Sequence, residues 1–211
     1  PDMMTKNVVF NHGTINVDWT GSDSQGYAEI DATWIDNSGT FNASFNNPTP
    51  VPESWYAPNV VAISGIEVQK SGVFDYAANG WTDQDEFINR EGALVKVGIE
   101  YGTTSLDSTQ ASSWQSIITG LVLNGSTISG RNAGNIDIDV ATADSITRGI
   151  WLRDGGQFVN EDTGVIEITI DKYESDPALA SRTNIANSAI YLDSTSTFVN
   201  DGSIQALVEG G

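Results

Sequence analysis

One short pattern recurs along the chain and limits its fold more than any other feature. Six segments align: Val9-Phe10-Asn11-His12-Gly13-Thr14-Ile15, Trp34-Ile35-Asp36-Asn37-Ser38-Gly39-Thr40-Phe41, Phe87-Ile88-Asn89-Arg90-Glu91-Gly92-Ala93-Leu94, Arg131-Asn132-Ala133-Gly134-Asn135-Ile136, Phe158-Val159-Asn160-Glu161-Asp162-Thr163-Gly164-Val165-Ile166 and Phe198-Val199-Asn200-Asp201-Gly202-Ser203-Ile204. In each, an Asn is followed by one to three residues, a Gly, one further residue and a large apolar side chain. Repetition at intervals of tens of residues is the mark of a solenoid, in which each unit covers the apolar face of the next. The residue types suit a corner: Gly tolerates positive φ, and Asn tolerates the left-handed region and bonds its own backbone. Asn side chains stacked coil above coil are also able to hydrogen-bond along the axis, as amide ladders do in cross-β assemblies.

A second element precedes four of the copies: Gly65-Ile66-Glu67-Val68, Gly120-Leu121-Val122-Leu123, Gly149-Ile150-Trp151-Leu152 and Ala189-Ile190-Tyr191-Leu192. Each unit then reads as an alternating strand, a small-residue bend, an aromatic or aliphatic pair, the Asn turn and a second alternating strand. Strings such as Ile136-Asp137-Ile138-Asp139-Val140 put one set of side chains inward and the acidic set outward. The spacing predicts an all-β, right-handed parallel β-helix of about six irregular coils, with residues 1–211 as one segment. At about 4.8 Å per coil the stack would rise on the order of 30 Å. The signature glycines are separated by 26, 53, 42, 30 and 38 residues. The shortest interval estimates a bare coil, and the excess is inserted loop. Insertions are expected near 46–58, which is proline-rich, 73–86 and 102–115, either covering the stack or carrying recognition. Asp176 to Arg182 has the Asp-Pro start of a short helix. A β-sandwich is the rival architecture, but its turns need not repeat their chemistry in register.

Composition restricts function. The chain carries 28 acidic against 9 basic residues, a formal charge of −19, which repels nucleic acid and anionic membrane surfaces. It has no cysteine, hence no disulfide framework and no thiolate metal site. Pro1 and Glu209-Gly210-Gly211 read as cut points within a longer polypeptide, and no apolar leader opens the chain. The single histidine, His12, falls inside the first Asn turn and reads as structural. No nucleophile elbow, phosphate-cradling loop or zincin motif occurs, so no catalytic residue is assigned. Carboxylate pairs leave glycoside cleavage open: Asp137 with Asp139, and Asp83, Asp85 and Glu86 near Trp81. Asp23, Asp83, Asp85, Asp137 and Asp139 offer oxygen ligands to calcium, although neither an EF-hand loop nor a G-G-x-G-x-D repeat is present. As binding residues the sequence points to Trp55, Tyr56, Trp81 and Trp114, for stacking on sugars, and to Asp137 and Asp139.

The coils from Gly149-Ile150-Trp151-Leu152 to Phe158-Val159-Asn160, and from Ala189-Ile190-Tyr191-Leu192 to Ile204, resemble the repeats of type V secreted autotransporter passengers and haemagglutinin-like surface adhesins. Polysaccharide lyases and phage tailspikes share the architecture, so the repeat names a fold before it names an activity. The resemblance implies a surface-exposed passenger of a Gram-negative outer-membrane protein. The protease and lipase passengers of that group carry a nucleophile motif, which this chain lacks. The resemblance therefore favours an adhesive or structural module without cofactor, whose partners are copies of itself or glycans and proteins on neighbouring or host cells. The alternative is a carbohydrate-active β-helix, and a plain spacer is the third reading.

Overall fold

The computed structural model describes residues 8–20, 30–47, 62–69, 74–75, 80–81, 85–101, 116–126, 128–142, 145–172 and 187–209. All regular elements among them are β-strands. The first coil contributes β1 (Val8–Asn11) and β2 (Thr14–Thr20), and the second β3 (Ile30–Ala32), β4 (Trp34–Asn37) and β5 (Thr40–Asn47). The third holds β6 (Ala62–Gln69), β7 (Phe74–Asp75), β8 (Gly80–Trp81), β9 (Asp85–Asn89) and β10 (Leu94–Tyr101). The fourth comprises β11 (Ser116–Asn124), β12 (Ile128–Asn132) and β13 (Asn135–Thr142), and the fifth β14 (Ser145–Arg153), β15 (Gln157–Asn160) and β16 (Val165–Lys172). The sixth ends the series with β17 (Ser188–Leu192), β18 (Thr197–Asn200) and β19 (Ser203–Val208).

Three parallel sheets result, each strand pairing with its equivalents in the coils before and after. Sheet A runs β1-β4-β9-β12-β15-β18, sheet B β2-β5-β10-β13-β16-β19, and sheet C β3-β6-β11-β14-β17. This is a parallel β-helix, and β7 and β8 form a separate antiparallel pair within the third coil. The sequence separates two strands per coil; the chain makes three, because the aromatic or aliphatic pair between the small-residue bend and the Asn turn is itself a strand, that of sheet A. Strand bounds trim the expected insertions. Asn46 and Asn47 belong to β5, and Asp85 and Glu86 to β9. The connection 102–115 joins sheet B to sheet C, as do 48–61, 21–29 and 173–187. The helical start at 176–182 and most of the proline-rich segment lie outside the described residues.

Alternation within strands builds the core. In sheet B the inward columns in register are Ile15, Phe41, Val95, Ile136, Ile166 and Ile204, then Val17, Ala43, Val97, Ile138, Ile168 and Ala206. The members in the middle coils are fully buried. Burial of each such aliphatic side chain contributes about 1.5–3 kcal/mol. In sheet A, Phe87, Gly130, Phe158 and Phe198 share one column. Gly130 is required by volume: a Cβ there would lie 2.4 Å from the Phe158 ring and 2.6 Å from Leu123. Its absence lets Phe87 and Phe158 meet across the coil at 6.3 Å, while Phe158 stacks on Phe198 at 5.4 Å.

The Asn turns form the spine. Asn11 donates through Nδ2 to Asn37 Oδ1 (2.7 Å), Asn37 to Asn89 (2.9 Å), Asn89 to Asn132 (2.8 Å), Asn132 to Asn160 (2.8 Å) and Asn160 to Asn200 (2.8 Å). The second Nδ2 hydrogen of Asn11, Asn37, Asn89, Asn132 and Asn160 goes to the carbonyl that opens the next coil's sheet B strand, from Thr40 to Ser203. Buried amides are thereby satisfied on both protons, as a dry interior demands. Beside them runs a column of carbonyls, Gly13, Gly39, Ala93, Gly134 and Gly164, each accepting from the strand start of the next coil. Gly92 is not in that column. Ala93 takes its place, and Gly92 is the extra residue of a longer turn with φ +76°. For Gly39, Gly134, Gly164 and Gly202 the reason for glycine is close approach, not positive φ: a Cβ on Gly134 would stand 2.4 Å from the Arg90 carbonyl oxygen and 2.5 Å from that of Ala93.

Candidate functional site

Outward columns of sheet B carry the polar surface singled out by the alternating acidic strands. The first runs Asn16, Asn42, Lys96, Asp137, Glu167 and Gln205, one residue per coil. Asn42 donates to Asn16 at 2.8 Å, and Lys96 Nζ pairs with Asp137 at 2.8 Å. The carboxylate holds the Lys96 ammonium above its ordinary pKa through a hydrogen bond and direct attraction. Half of the Lys96 side chain is exposed, so the pair contributes about 1 kcal/mol at most.

In the next outward column stand Asp18, Ser44, Gly98, Asp139, Thr169 and Leu207. Gly98 leaves a solvent-open depression of about 230 Å³ walled by Ser44, Asn46, Glu100, Asp139 and Ala141. Partial burial raises the Asp139 carboxyl above the usual range, helped by repulsion from Asp171 and Asp137 and opposed by Lys96. Asn46 Nδ2 donates to Glu100 at 3.2 Å, while Asn46 Oδ1 is buried without a partner. Chemically, the face supplies one carboxyl whose charge is disfavoured by partial burial and acidic neighbours beside another committed to Lys96, with amides and hydroxyls around them. That is a hydrogen-bonding surface for polyols or polar side chains.

Placement of the other candidates follows. His12 sits in the first Asn turn with Nδ1 2.6 Å from Ser38 Oγ, a contact between two coils. Trp81 is in β8, its backbone paired with Phe74, and Asp85 opens β9. Trp55, Tyr56, Trp114, Asp23 and Asp83 lie outside the described residues. Among the described residues no group of three or more His, Asp or Glu side chains is arranged to hold a metal ion. Asn11, Asn37, Asn89, Asn132, Asn160 and Asn200 are committed to the internal ladder, and the turn glycines to the backbone beside it.

Sequence reasoning missed a group on sheet C. Glu67, Val122, Trp151 and Tyr191 share one outward column, with Arg148 and Arg153 on the same strand as Trp151. A signal existed: two of only nine basic residues bracket one tryptophan. Comparison of the chain with family models, with curated proteins and with solved structures finds no match in any of the three.

Proposed function

We propose that this chain is a non-enzymatic β-helical module of an extracellular or cell surface, acting in adhesion, self-association or assembly of a surface structure. The observation that carries this reading is the outer face of sheet B. It is a straight array of amide, ammonium and carboxylate groups repeating at the strand spacing of about 4.8 Å and held rigid by the internal ladder. A second such face, or a repeating glycan, matches that spacing over several coils. Weak polar contacts multiply when they are presented in register. The Gram-negative setting is part of the same proposal and rests on the resemblance of the repeats.

The test is to replace Asp137 and Asp139 together by Lys and compare particle mass by light scattering and the clumping of cells that display the chain. Reduced mass and clumping with an unchanged melting profile would support face pairing. An unchanged mass would remove it. The carbohydrate-active alternative draws on Asp139, whose pKa is raised, in its open depression, and release of reducing ends from an arrayed glycan would move the chain into that class.

A further inference from the structure

The outer face of sheet C in the fifth and sixth coils carries four side chains that the repeat does not call for. Trp151 projects outward between the fully buried Ile150 and Leu152, and in register with it on the next strand stands Tyr191, 41% exposed. The two rings meet edge to face at 6.3 Å and 73°. Into their angle comes the Arg148 guanidinium, 3.9 Å from the Trp151 centroid and 4.1 Å from that of Tyr191. Arg153 lies over Trp151 at 4.5 Å. Contact with both rings holds the Arg148 guanidinium in place on this face.

Two N–H groups here have no acceptor. Arg148 Nη1 and Trp151 Nε1 are both buried without a hydrogen-bond partner. No carboxylate among the described residues pairs with Arg148, and Arg153 reaches Asp154 only at 4.0 Å. Burial lowers the Arg148 pKa, opposed by Tyr191 and aided by the neighbouring Arg153 charge. In a chain with 28 acidic residues an ion pair at this place was readily available, yet two cations are gathered side by side instead. A guanidinium held against two rings, partly desolvated and lacking an anion is preorganised for one that arrives from outside.

We propose that Arg148, Arg153, Trp151 and Tyr191 form a binding site for a sugar ring bearing a carboxylate, of the hexuronate class. The carboxylate accepts from the N–H groups of the half-buried Arg148 other than the enclosed Nη1 and from the exposed Arg153, and the C–H face of the ring lies against the exposed Tyr191. A single carboxylate on an otherwise uncharged polyol suits the surroundings, because the net charge of −19 repels polyanions. The site stands on its own residues whether or not sheet B mediates association.

Titration calorimetry of the full chain with glucuronic acid, glucose and acetate tests the proposal. Saturable binding of glucuronate is expected, with glucose and acetate at least about tenfold weaker, since each lacks one half of the recognition. Arg148→Gln should weaken glucuronate about tenfold or more, and Arg148→Lys should also weaken it, because Lys keeps the charge but loses the planar fork. Arg131→Gln, at an exposed cation of sheet A, should leave affinity unchanged. Should Arg148→Gln fail to fold by circular dichroism, Tyr191→Ala at the exposed ring carries the same expectation. Absence of saturable glucuronate binding, acetate binding as tightly as glucuronate, or full affinity in folded Arg148 and Tyr191 variants would overturn the site. Light scattering of the Asp137 and Asp139 double variant reads the adhesive proposal separately, so either idea can fail alone.

Discussion

Replacing Asn132 by Ala should be among the most damaging single changes in the chain, and its cost can be worked from the ladder. Asn132 is fully buried. Its Oδ1 accepts from Asn89 at 2.8 Å, and its Nδ2 donates to Asn160 Oδ1 at 2.8 Å and to the Val165 carbonyl at 3.3 Å. Truncation orphans one Asn89 proton and the Asn160 oxygen in a site that water does not reach. Each orphaned buried group costs about 1–3 kcal/mol, so the variant should lose about 4 kcal/mol. At the last rung Asn200 is exposed, and without it Asn160 Nδ2 keeps the Gly164 and Ser203 carbonyls. Asn200→Ala should therefore cost below about 1 kcal/mol. Urea unfolding followed by far-ultraviolet circular dichroism measures both, with the slope compared as well, because a solenoid with a broken rung can unfold in parts. Asn132→Asp sharpens the test. It sets an oxygen against Asn160 Oδ1, so it should cost more than Ala at neutral pH and recover on acidification, when the carboxyl regains a proton to donate. If Asn132→Ala and Asn200→Ala cost the same to within about 1 kcal/mol, the ladder is not the source of stability argued above.

The glycine column gives a second contrast: Gly134→Ala forces a Cβ to within 2.4 Å of the Arg90 carbonyl oxygen, whereas the Cβ of Gly13→Ala meets nothing within 4 Å. Thermal midpoints should fall sharply for the first, a loss of at least about 2 kcal/mol, and stay within about 1 kcal/mol for the second. Two aspartates should show opposite pH signatures in the same assay. Hydrogen bonds from Ser196, Thr195 and the Asp154 backbone hold the Asp193 carboxyl well below the ordinary aspartate pKa of 3.8, so its stabilisation is complete above that value and fades as pH falls below it. Asp193→Asn should lower the midpoint at pH 7, and the deficit should shrink in acid. Burial raises Asp139, so its charged form opposes folding, and Asp139→Asn should raise the midpoint at pH 7 by an amount that vanishes in acid.

How much of this was legible in the sequence depended on how rigidly each position is fixed. The Asn residues must repeat because each one is both donor to and acceptor from its neighbours, and six copies made the coil count visible. Gly92 was misplaced by one residue because the third turn holds four residues, and the close approach that demands a small side chain falls on Ala93. The third strand of each coil was hidden by brevity, since sheet A contributes as few as four residues at a time. The arginine and aromatic group on sheet C escaped because alternation breaks at the glycine bend within each of these strands, Gly120 in β11 and Gly149 in β14. A Cβ on Gly120 would strike the Ile138 side chain in the core, yet the adjacent Leu121 is also buried. Outward positions before and after that bend are therefore out of phase, and simple parity misassigns them. The acidic outer face of sheet B has no such break, which is why Asp137 and Asp139 could be placed on one face from spacing alone.

The connection that houses the ladder is kept short in all six coils. It has two residues at 12–13, 38–39, 133–134 and 201–202, and four at 90–93 and 161–164, while connections from sheet B to sheet C range from 143–144 to 173–187. One edge of the stack thus works as a ruled spine and another as a margin where text can be added. A segment inserted at the margin shifts no rung, so the chain is free to acquire or exchange surface features there without renegotiating its register. The spine is also one-way, since all five amide bonds point from the earlier coil to the later. Growth of the stack is then vectorial: each finished coil offers an N–H already aimed at the position where the following asparagine must arrive.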